Sequence, residues 1–121
     1  MMEPSRIHEL NKIAGAFCGK KLTGQFSHGG ERWVYASYED ECTMQYTPWN
    51  PCENHNQAAE VKATLREKFI RYSMRMIFLC SGQIFHEWEL EDLDGFAHNG
   101  RDESELIALL LAVEALGKEV A

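Results

Sequence analysis

The residues best suited to chemistry lie between Cys42 and His55, where Cys42, Cys52 and His55 form a C-x9-C-x2-H spacing. Three thiolate or imidazole groups would supply most of a tetrahedral zinc site, with Cys18, His28 or Cys80 as the fourth ligand. There is no C-x2-C knuckle, however, and Cys42 stands at an alternating strand position where a buried thiol is ordinary. Cys52 with His55 as its base also reads as an exposed nucleophile, but no acid is placed to orient the imidazole. His86, between Ile84 and Trp88 on the apolar side of a strand, is either a ligand-binding imidazole or a satisfied half-buried histidine. Glu87, Glu89, Glu91, Asp92 and Asp94 form an acidic ladder. Alternate carboxylates along one strand make a solvated face sooner than a divalent-ion site, which needs converging oxygens, or a DNA-mimicking edge, since net acidity is a common solubility device. The strongest binding candidate is Trp33, Tyr46, Trp49 and Asn50, aromatics and an amide of the kind that grip a planar ligand or a protein hot spot. Trp49 either serves that site or folds back to plug one end of the core. Gly-rich phosphate loops, Ser-His-Asp order, HExxH and paired catalytic carboxylates are missing.

These groups sit in a chain of 121 residues, 45% hydrophobic and 11% aromatic, the right size and composition for one packed domain spanning 1–121. The formal charge of −7 disfavours nucleic acid, whose binding rests on cationic side chains displacing counterions. No apolar run approaches a membrane span, and Met1-Met2-Glu3-Pro4-Ser5 lacks the basic start of a signal peptide. A cytoplasmic location, four reduced cysteines and no cofactor are therefore expected.

The elements that would position the candidates follow from periodicity. Ile7, Leu10, Ala14 and Phe17 share a helical stripe, with Ser5 as N-cap and Gly19 as stop. Two or three short strands follow between Lys20 and Tyr46, and the prolines of Thr47–Asn54 predict a loop. Asn54 or Asn56 caps a helix carrying Ala58, Val61 and Leu65. Ile70 to Cys80 and Ile84 to Leu90 alternate strictly and predict a hairpin, and Glu91–Arg101 reads as polar loop. Asp102 with Glu105 then opens a helix bearing Leu106, Leu109, Leu110, Val113 and Leu116.

The order α-β-β-(β)-α-β-β-α predicts an α+β fold: a single mostly antiparallel sheet of four to five strands with helices on both faces, an α/β/α sandwich. Met74, Met76, Phe78, Ile84, Trp88, Leu106, Leu110 and Val113 are expected to share its core. Ile107 and Leu111 lie to one side of the last helix's stripe. They need either the first helix or a second copy to cover them, and a homodimer is the expectation.

Tyr46-Thr47-Pro48, the Ala58-Ala59 helix from Asn54 to Leu65, and the Ala108-Leu109-Leu110 terminal helix resemble the phage ABA-sandwich domain and the related NinX-like small phage proteins. Glu60-Val61 stands where that pattern often has Trp, and Asn where it has a capping Asp. The resemblance implies a phage or prophage origin and a sandwich fold, and it lends no catalytic residue. The leading expectation is thus a non-enzymatic accessory protein acting by binding an unidentified protein or small molecule. The alternatives are a nucleotide-sequestering anti-defence protein and a zinc or Cys/His enzyme built on Cys42, Cys52 and His55.

Overall fold

The computed structural model describes residues 2–27, 30–38 and 44–120. In chain order the elements are α1 (Pro4–Phe17), β1 (Thr23–Ser27), β2 (Gly30–Tyr38), β3 (Met44–Trp49), α2 (His55–Glu67), β4 (Arg71–Phe78), β5 (Ile84–Glu91), β6 (Ala97–Asp102) and α3 (Glu105–Val120). The class is α+β, as the periodicity predicts. The single sheet is not found: the strands form two antiparallel sheets of three, β1-β2-β3 and β4-β5-β6.

The layers are also inverted. Helices α1 and α3 pack on each other between the sheets, α3 against β5 and β6 and α1 against β2, giving sheet, helix, helix, sheet. The cause is the girth of α3. Leu106, Ala108, Leu109, Leu110, Ala112, Val113 and Leu116 are all buried, and a helix apolar nearly all round must be covered on more than one side. Its small residues face β6, where a Cβ added to Gly100 would lie 2.1 Å from the Ala108 carbonyl oxygen and 2.3 Å from the Ala112 nitrogen. On the other side Arg6 of α1 donates two hydrogen bonds to the Glu114 carboxylate, at 2.6 and 2.5 Å, and this pairing raises the Arg6 pKa. Ile107 and Leu111 are half-buried against the core, so the patch that motivated a dimer on α3 is largely covered within the chain.

One apolar cluster joins α1, β3, α2, β5 and α3 through Leu10, Trp49, Leu65, Trp88, Leu90 and Leu110. Trp88, Leu106, Leu110 and Val113 belong to it as expected. Met74, Met76, Phe78 and Ile84 do not: they are 38%, 46%, 70% and 40% exposed. They share the inner face of their sheet, Met74 opposite Trp88 and Phe78 opposite Ile84, but α3 lies over β5 and β6 and leaves the end of the β4–β5 hairpin bare.

Several local signals shift by a residue or two. Pro4 occupies the first turn of α1 and Glu3 its N-cap, so Ser5 is inside the helix. Asn54 caps α2, its side chain accepting from the Gln57 N–H at 3.1 Å. Ser104, not Asp102, caps α3: its hydroxyl accepts from the Ile107 N–H at 3.3 Å while Asp102 accepts from the Ser104 N–H. Pro48 lies within β3 instead of ending it, because β3 is an edge strand, where a missing N–H costs no ladder bond. The segment read as polar loop contains β6.

Candidate binding site

Strand pairing brings three of the four sequence-predicted residues together. Trp33 lies opposite Trp49, and both line a cleft of about 300 Å³ with Asn50, His8, Asn11 and Arg32. Tyr46 lies elsewhere. Three positions from Trp49 on the same strand, it points to the opposite sheet face and is 57% exposed.

The cleft's polar groups are spent on one another. His8 stacks on Trp33 with ring centroids 4.4 Å apart, and the Trp33 indole N–H donates to the His8 carbonyl. Trp49 is 1% exposed and donates to the Asn11 carbonyl at 2.9 Å, so it plugs the core instead of facing a ligand. Buried Asn11 donates to the Asn50 side chain and accepts from the Cys52 N–H, and Gln57 bridges the Asn50 N–H to the Pro48 carbonyl. This network holds the Pro48–Cys52 turn. Its members are satisfied and have little left to offer a ligand.

The thiol candidates separate similarly. Cys42 and His28 lie outside the described residues. Cys52 is buried rather than exposed, and burial, reinforced by Glu53 and Asp102, pushes its thiol up to about 12, which keeps it protonated and a poor nucleophile. His55 is exposed in the first turn of α2. His86 bonds the Glu103 carbonyl at 2.9 Å, the satisfied-histidine role. On the outer sheet face Glu87, Glu89 and Glu91 lie opposite Arg75, Ser73 and Arg71, so the acidic ladder faces a mixed-charge strand.

A second region went unread in the sequence. Helix α2 ends with the Ile70 N–H donating to the Leu65 carbonyl and the Phe69 N–H to the Arg66 carbonyl, the paired bonds of a Schellman motif. This closure needs a left-handed residue. Helix α1 closes with the same bonds and has Gly19 there, at φ 76°. Helix α2 has Phe69 at φ 60°, a conformation that costs a side-chain-bearing residue about 1–2 kcal/mol. The ring gains little burial in return, being 78% exposed.

Facing it is the β5–β6 turn. The Asp92 side chain accepts from the Asp94 and Phe96 N–H groups, and its other oxygen meets His98 Nε2 at 2.9 Å. The His98 bond, with the two N–H groups, holds the Asp92 carboxyl below the usual carboxylate range. A turn tied this tightly displays Leu93 and Phe96, 77% and 66% exposed, on a rigid support. Between this turn and the end of α2 lies a cleft of about 690 Å³ lined by Phe69, Ile70 and Leu93, with Arg66 and Arg71 on one side and Glu91, Asp92 and Asp94 on the other. A neighbouring cleft of about 530 Å³ shares Ile70 and Leu93 and extends to Phe17 and Leu116. Among the described residues neither Arg71 nor Asp94 has an ion-pair partner.

The chain matches no protein-family model and no curated protein. No helix among the described residues is long and apolar enough to cross a membrane.

Proposed function

We propose that the chain is a non-enzymatic accessory protein, of the kind small phages and prophages encode for the host cytoplasm, and that it binds a partner protein at the Phe69–Leu93–Phe96 end. The observation that carries this reading is Phe69: a large apolar side chain held in a left-handed conformation, exposed, beside a braced turn displaying two more. Strained residues are tolerated where function requires their position, and rigid aromatic anchors lower the entropic cost of association. The matching partner offers an apolar residue to Phe69 and Leu93 and charges of both signs to Arg71 and Asp94.

Nucleotide sequestration is the second reading, because Arg66 and Arg71 line the same cleft as Phe69. Glu91, Asp92 and Asp94 line it too, and their charge opposes a phosphate. Photo-crosslinking in the native host tests the choice. A benzophenone amino acid at position 69 or 93 should yield one discrete protein adduct, and the same probe at Tyr46 should not. Equal labelling from all three positions, or a nucleotide retained stoichiometrically by the purified protein, would rule the partner-protein reading out.

A further inference from the structure

We propose that a second copy of this chain pairs along the free edge of β4, joining two three-stranded sheets into one of six across a two-fold axis at Met76. β4 is an outer strand of its sheet, and it carries neither proline nor bulge to blunt the edge. The Leu79 N–H donates to the Gln83 carbonyl, so Leu79 faces β5. By antiparallel alternation Met74, Met76 and Phe78 then turn their own N–H and C=O groups outward. Their side chains share one sheet face and are exposed, as are Leu79 and Ile84 at the same end of the hairpin.

For a second copy of the same strand, charge narrows the register. Arg75, the cation in the middle of the edge, is already held by Glu87 at 2.6 Å and does not repel an incoming strand. Centring the two-fold on Arg75 would set Arg75 against its own copy, and centring it on Ser73 would set Arg71 against Arg75; like charges directly opposite destabilise a pair. Centring it on Met76 places Met76 opposite Met76, Met74 opposite Phe78 and Arg75 opposite Ile77. The outward N–H groups of Met74, Met76 and Phe78 then each meet a carbonyl, and six exposed apolar side chains form one ladder. Centring on Ile77 also avoids like charges, but it sets Met74 against Cys80 of the turn and shortens the apolar ladder. Centring on Met74 avoids them too, but it drives the partner strand toward Tyr72, whose hydroxyl accepts a hydrogen bond from Arg66 of α2 at 2.7 Å. The Met76 axis brings only the partner's hairpin turn, not its strand, beside Tyr72.

Sedimentation equilibrium decides the matter. The wild-type chain should move from 13.9 kDa toward twice that mass as concentration rises from a few to several hundred micromolar. Met76→Lys sets two ammonium groups face to face on the axis, and Phe78→Ser removes apolar contact on both sides of it. Both positions are exposed, so each variant should keep its melting temperature and sediment as monomer, while Phe69→Ala, away from the edge, should still dimerise. A wild-type monomer throughout that range would overturn the proposal, as would a dimer that survives Met76→Lys.

Discussion

Replacing Phe69 by glycine should make the protein more stable and less able to bind. The left-handed conformation at φ 60° costs a residue with a Cβ about 1–2 kcal/mol, and glycine removes that cost. Glycine also has more freedom to lose on folding, roughly 0.5–1 kcal/mol. Phe69 is 78% exposed, so the contact forfeited is small, and Phe69→Ala forfeits it equally while keeping the strain. The alanine variant is therefore the right reference. Phe69→Gly should exceed Phe69→Ala by about 0.5–1 kcal/mol, which for a domain of this size raises the melting temperature by roughly 2–5 °C. Urea denaturation of both variants, read by circular dichroism, measures the difference. Gly19→Ala, at the corresponding position of α1, should lose a similar amount. With the probe at position 93, both Phe69 variants should lose the crosslinked adduct. If alanine at position 69 proves as stable as glycine, the left-handed strain is not real and the functional argument built on it fails.

Gly100→Ala should cost about 1–3 kcal/mol, the usual range for overpacking, because its Cβ would meet the α3 backbone at 2.1 Å; an unchanged melting temperature would show that α3 can move off β6. Asp92 has a depressed carboxyl pKa, so it contributes stability that is present above the ordinary carboxylate range and lost as pH falls through the folded value. Asp92→Asn should accordingly flatten the decline of melting temperature below about pH 4. Native protein treated with a thiol reagent at pH 8 should react at exposed Cys80 before half-buried Cys18, and at Cys52 only on unfolding. Prompt labelling of Cys52 would contradict its burial.

The features legible in the sequence were those written in large apolar side chains. The stripe from Leu106 to Leu116 announced a helix too apolar for one neighbour, and the alternation from Ile84 to Leu90 announced β5. Strand β6 was hidden because its inward residues are His98 and Gly100, the one satisfied by Asp92 and the other kept small by α3. Alternation in β4 gave the strand correctly but not its burial, since a regular apolar face forms equally well beneath a helix or beyond its reach. The Trp33–Trp49 pairing was within reach of strand parity once Pro48 is allowed on an edge. Phe69 had no positive signal of its own. Its clue was that α2 closes without the glycine that ends α1, a difference visible only when the two helix ends are laid side by side.

Placing α3 between the sheets also has a consequence for the chain as it is made. The helix that fills the centre follows every strand, so Trp88, Leu90 and Gly100 leave the ribosome before the surface that will cover them exists. Until about residue 116 has emerged, the inner face of the second sheet is open to water, to chaperones and to other nascent copies. The order of synthesis thus opposes the order of layers, and the native core can close only after α3 has been made.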